Sequence, residues 1–191
     1  MRDNWVLGGL LGGAAMFFWG ALSHMLLPVG ELGLRTALPD REPALVEAMR
    51  AAMPEPALYL IPGSDPEQAM TPELQEAWLA KLAAGPTALV AWNPGPGTAL
   101  GPRPLAIELL SNLAVCLIAA WLLTQLRPGT EYFRRVGIVI LIALSGVLAI
   151  QVSYWSWYSF PGRYLAGQLV DQLAGAALAG IVIARHARPK G

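Results

Sequence analysis

Residues 136–158 read VGIVILIALSGVLAIQVSYWSWY and carry no charged side chain. A helix needs about 20 mostly apolar residues to cross the ~30 Å hydrocarbon core of a bilayer, and this stretch is long enough. Three further windows share the property: residues 5–27, 104–126 and 164–184. The whole chain agrees with them. Its 191 residues are 55% hydrophobic and 14% charged, whereas soluble domains carry about 25% charge. A soluble globule of this size would expose large apolar patches. The pattern therefore predicts an integral membrane protein whose first partner is the lipid bilayer.

Thirteen basic and thirteen acidic residues cancel, which argues against a nucleic-acid partner. One cysteine, Cys116, excludes an intrachain disulfide and any multi-cysteine zinc site. Ala21-Leu22-Ser23 has the small-x-small spacing of a signal-peptide cleavage site, but the apolar stretch before it is longer than such a segment needs. The first window is read as a membrane helix.

Lys and Arg near the helix ends set the expected orientation. Arg127, Arg134 and Arg135 lie between the second and third windows, Arg185, Arg188 and Lys190 follow the fourth, and Arg2 precedes the first. Only Arg163 lies between the third and fourth. Both termini are thus expected in the cytoplasm, and residues 28–103 outside it, in the periplasm if the membrane is a bacterial inner membrane. Tyr154, Trp155, Trp157, Tyr158 and Tyr164 would mark the outer headgroup level, and Trp5, Trp121, Tyr132 and Phe133 the inner one.

The segment 28–103 holds five basic and nine acidic residues, more than half of the chain's charge. Asp40 precedes Arg41-Glu42-Pro43, a helix start, and Leu45, Met49 and Met53 follow at helical spacing up to Pro54. Ala57–Ile61 is an apolar run closed by Pro62-Gly63 and reads as a buried strand. Thr71-Pro72-Glu73 combines an N-cap with Pro at the first helical position, and Leu74, Trp78 and Leu82 make one stripe. Residues 87–92 read as another strand. The predicted fold is a membrane all-α four-helix bundle with a small extracytoplasmic α+β domain inserted between the first and second transmembrane helices. Its parts are helix 1 in 1–27, the domain in 28–103, helices 2–4 in 104–185 and a basic cytoplasmic tail in 186–191, with His186 in water.

Small residues let helices approach closely in lipid. Gly8, Gly9, Gly12 and Gly13 form two overlapping G-x-x-x-G pairs, with Gly20 further on. Gly167, Gly175 and Gly180 repeat the device in the fourth helix, and Gly137, Ser145 and Gly146 in the third. These are expected to pack the bundle internally rather than to make a homodimer.

Ionisable residues inside membrane helices are costly and turn inward to pair. On the expected topology His24 and Glu108 lie about 5–6 Å inside the outer boundary, and Gln151 and Asp171 about 10–12 Å, at ~1.5 Å per helical residue. Helical spacing adds Asn112 beside Glu108, Tyr154 beside Gln151, and Gln168 and Gln172 beside Asp171. The candidate intramembrane polar cluster is therefore His24, Glu108, Asn112, Gln151, Tyr154, Gln168, Asp171 and Gln172. It reads either as a hydrogen-bonded layer fixing helix register or as a pocket for a small polar ligand, a proton or a cation. His24, Glu108 and Asp171 are metal-ligand types without a diagnostic spacing. No nucleotide, hydrolase or metalloprotease motif accompanies them, so no cofactor and no catalytic residue is assigned. The expected function is a non-catalytic accessory or scaffold subunit held by other membrane subunits. The alternative is a transporter or ligand-binding protein using His24, Glu108, Gln151 and Asp171.

Overall fold

A computed structural model describes residues 4–64, 68–97 and 101–189; Arg2 and Lys190, and the insert acids Asp65 and Glu67, lie outside them. The chain is mostly helical. Four helices are long and apolar enough to cross a membrane: α1 (Trp5–Met25), α4 (Pro102–Thr124), α5 (Tyr132–Trp157) and α6 (Gly162–His186). Between α1 and α4 come α2 (Glu42–Ala52), β1 (Ala57–Ile61), α3 (Pro72–Ala84) and β2 (Ala88–Trp92). The chain divides into two compact units. One comprises residues up to Leu34 with Thr98–Ser153 and Pro161–Gly191; the other comprises Arg35–Gly97 with Tyr154–Phe160.

In the first unit, the two glycine pairs of α1 serve two different neighbours. A Cβ on Gly8 or Gly12 would come within 2.8 Å of His186 and 2.6 Å of Ile183, both on α6. A Cβ on Gly9 or Gly13 would come within 2.8 Å of Leu117 Cα and 2.6 Å of Leu113 Cα, both on α4. Successive residues point about 100° apart around a helix, so the six-residue block Gly8–Gly13 opens α1 on two sides. The buried core lies at the same end. It is built from Cys116, Ala119, Ala120 and Leu123 of α4, Val136 and Val139 of α5, and Ala179, Ile183 and Ala184 of α6.

The helix α5 meets α6 near its start. Gly180 faces Val136 and Val139, the Tyr132 hydroxyl donates to the Ile181 carbonyl at 2.9 Å, and the Arg135 guanidinium donates to the Ala184 carbonyl at 2.9 Å. The small residues of α5 are not used in the same way, since a Cβ on Gly137 or Gly146 would meet nothing within 4 Å. His186 is not in a free tail. It is the last residue of α6, half-buried beside Gly8, with Nδ1 3.0 Å from the Val182 carbonyl.

In the second unit, β1 and β2 pair antiparallel, with Tyr59 opposite Val90. The apolar run Ala57–Ile61 forms β1 but not the buried strand that its composition predicts. Leu58 and Leu60 of β1 are exposed, because a two-stranded ribbon has no second layer to cover both faces. Met53 is the buried hydrophobic residue of this unit among the described residues, and the Trp92 indole donates to its carbonyl at 2.6 Å. The inward stripe of α2 runs through Val46, Met49 and Met53, with Leu45 exposed. α2 starts as expected after Asp40, with Arg41 at the N-cap position making no side-chain cap bond. Thr71 caps α3 as expected, accepting from the Leu74 amide at 3.3 Å, and Leu74, Trp78 and Leu82 form its half-buried face. Glu73 follows in the first turn; its own backbone amide and the Thr71 hydroxyl hold its carboxyl below the usual carboxylate range.

Candidate functional site

The end of the first unit where α1 finishes and α4 begins is built differently from the glycine-packed end. Here α1 carries Trp19, Ser23 and His24 on neighbouring turns, and α6 presents Asp171 with Gly175 one turn on. Gly175 makes room for the Trp19 ring, whose Cδ1 would lie 3.0 Å from a Cβ placed there. The indole N–H is thereby aimed at Asp171. It donates to the Asp171 carbonyl and to its carboxylate Oδ1, both at 2.9 Å. Asp171 is 5% exposed.

The other carboxylate oxygen, Oδ2, lies 3.8 Å from His24 Nε2, and the opposite nitrogen of that ring, Nδ1, lies 3.1 Å from Glu31. Glu31 reaches this position because the chain folds back after α1. The Leu26 and Leu27 amides both donate to the Leu22 carbonyl, and the Gly30 amide donates to the Ser23 carbonyl. Gly30 then lies against the imidazole so closely that a Cβ would come within 2.5 Å of it. Gly33 holds a φ of +90° beside the Tyr164 backbone, and Gly167 leaves space for Leu32 and the Val29 carbonyl. Three glycines thus seat the segment 26–34 on α1 and α6. The result is a row of polar side chains, Glu31–His24–Asp171–Trp19, hydrogen-bonded at its two ends with a wider step of 3.8 Å between His24 and Asp171. Ser23 beside it is fully buried with its hydroxyl unpartnered among the described residues.

Two grooves open at this end. The larger, about 520 Å³, is bounded by α1, α4 and α6 and is lined by Trp19, Gly20, His24, Glu108 and Asp171 among others. The smaller, about 390 Å³, lies between α4, α5 and α6 and is lined by Glu108, Ser111, Gln151 and Gly146 among others. Glu108, Asn112 and Gln172 line both. Asn112 Nδ2 donates to Glu108 Oε1 at 3.2 Å, and the Gln151 side-chain oxygen is buried without a hydrogen-bond partner among the described residues.

Of the eight residues expected to cluster, His24, Asp171, Glu108, Asn112 and Gln172 line the larger groove, and Gln151 lines the smaller. Gln168 is half-buried on α6 and lines neither. Tyr154 belongs to the second unit, where its ring stacks on Phe160 with centroids 5.1 Å apart. Tyr154 lines neither groove.

Trp19 and Glu31 were missed. The signal for Trp19 was its position four and five residues before Ser23 and His24, on one helix face. For Glu31 it was the Pro28-x-Gly30 turn signal directly after α1, which brings the chain back over the helix end. Among the described residues no group of three His, Cys, Asp or Glu side chains is arranged to hold a metal ion, because Glu31 and Asp171 address opposite nitrogens of one ring. No family model, curated protein or solved structure matches the chain.

Proposed function

We propose that this chain is a small integral membrane protein that binds a low-molecular-weight ligand in the groove between α1, α4 and α6, as a binding protein or transporter. The observation that carries the reading is the groove itself. Its ~520 Å³ falls in the ordinary range for ligand sites, and it combines apolar walls with the buried Asp171 and the Glu108 carboxylate. Acids within membrane helices usually mark substrate or ion sites. The reading carries an orientation. Arg127, Arg134 and Arg135, with Arg185 and Arg188, lie at the opposite end of the four helices, which favours that end in the cytoplasm. The groove and the insert then face outward, in the periplasm of a bacterial inner membrane. A compound screen by thermal unfolding of the purified chain tests it, with Gly20→Leu as the groove-filling variant. Compounds that raise the melting temperature of the parent and lose their effect in Gly20→Leu support the reading. A screen in which no compound distinguishes the two proteins sinks it.

A second reading, the accessory subunit of a larger membrane complex, is favoured by α5. Its Gly137 and Gly146 leave small-residue positions open, and a groove of about 390 Å³ runs beside it. Such positions are where a partner helix packs in lipid. Gentle extraction followed by native mass spectrometry should then give a stoichiometric partner that Gly146→Leu removes. A lone chain in both samples counts against it.

A further inference from the structure

The charge of the larger groove narrows its ligand. Two carboxylates line it, Asp171 on the α6 side and Glu108 on the α4 side. No Lys or Arg lines it among the described residues. The one group there that can carry a positive charge is His24, whose ring lies with Nδ1 3.1 Å from Glu31 and Nε2 3.8 Å from Asp171. Neither groove carboxylate is paired with a Lys or Arg among the described residues. Asp171 receives the Trp19 N–H on Oδ1 and has His24 Nε2 3.8 Å from Oδ2, and Glu108 receives the Asn112 amide on one oxygen. The two acids share the groove with the apolar side chains of Met16, Phe17, Met25 and Leu105. Aromatic faces beside carboxylates attract cations, most strongly when water is excluded.

Building on the ligand-binding reading above, we infer that this groove takes a lipophilic organic cation: one ammonium-like or phosphonium-like charge set between Asp171 and Glu108, on an apolar body that fills the space against Phe17 and Leu105. A bare metal ion would leave most of the groove empty and finds no three-ligand set. A phospholipid headgroup would bring a phosphate, and no basic side chain lines the groove to meet it. Gly20 sits in the wall, and a Cβ there would meet nothing within 4 Å, so the space beside it is open to a ligand.

The test uses two probes of one shape and opposite charge, tetraphenylphosphonium and tetraphenylborate. They are equilibrated with the full chain in a neutral detergent, and saturable binding is read by equilibrium dialysis against Gly20→Leu as the filled-groove reference. The expected result is saturable phosphonium binding that Gly20→Leu abolishes and that Glu108→Gln and Asp171→Asn each weaken about tenfold or more, close to 1.4 kcal/mol. Glu108 is on the surface of α4, so Glu108→Gln keeps the test valid should Asp171→Asn fail to fold. Borate binding equal to or tighter than phosphonium binding, lost in Gly20→Leu, overturns the cation assignment and leaves the ligand-binding reading standing. So does phosphonium binding that Glu108→Gln and Asp171→Asn leave unchanged. Absence of saturable binding by either probe overturns both.

Discussion

The Trp19 indole holds Asp171 at two points, the backbone carbonyl and the carboxylate, although 152 residues separate them in sequence. One N–H thereby fixes both the position of α6 against α1 and the rotamer of a buried acid. Trp19→Phe should keep the ring's packing against Gly175 and leave both oxygens without their donor. Unfolding in detergent should register a loss of about 1–2 kcal/mol. Stability unchanged by Trp19→Phe would mean that the pair contributes nothing beyond shape.

The glycine pairs of α1 give a prediction with a built-in control. Gly13→Val must displace the α4 backbone at Leu113, which a Cβ would approach to 2.6 Å, and overpacking of this kind costs about 1–3 kcal/mol. Gly20→Ala meets nothing within 4 Å and should be neutral or slightly stabilising, since alanine is the better helix former. Thermal unfolding of the two variants side by side checks it, and equal effects would contradict the packing described.

Gly33 combines a φ of +90° with a Tyr164 backbone atom 2.6 Å from where a Cβ would stand. Gly33→Ala is therefore strained twice, and about 1–2 kcal/mol is expected from the backbone alone. The loss should be local. Hydrogen exchange should speed up in residues 26–34, while the amides of α4 keep their protection. Uniform loss of protection would show that the segment is not a separable cap.

Orientation can be read from single cysteines. In a Cys116→Ala background, Gln75→Cys lies in the exposed part of α3 and Pro128→Cys in the link between α4 and α5. A membrane-impermeant maleimide added to intact spheroplasts should label the first and spare the second until the membrane is opened. The reverse pattern would invert the proposed topology.

The first turn of α3 predicts a pH response in the insert. Because the folded carboxyl of Glu73 is held below its ordinary value, its contribution is complete above that ordinary value and fades as the pH falls through the lowered one. In Thr71→Ala the Glu73 titration should move back up, as followed by side-chain NMR. The helix should also lose about 1 kcal/mol from the missing cap.

The four long helices were legible because hydropathy over about 20 residues needs no tertiary partner to be read. The Thr71 cap and the α3 stripe were legible for the same reason, being local. Of the site, the residues announced by the cost of a charge in lipid could be found: His24, Glu108 and Asp171. What could not be read depends on contacts distant in sequence or on how the chain turns back. Trp19 resembles any interfacial aromatic until Asp171 is placed beside it. Glu31 counts among the charges of the insert until the turn at Gly30 sets it on His24. The stripe of α2 shifted from Leu45 to Val46 because Met53, not the helix start, is the residue that finds a core.

The two glycine pairs of α1 key it in rotation as well as in depth. Sliding the helix by one position, through a single inserted residue between Met16 and Trp19, would turn its far half by about 100°. The indole would swing off α6 while the near half stayed seated. Such a lesion would empty the acid of its donor without loosening the grip of the other end, so the chain should still fold and reach the membrane while its groove comes apart.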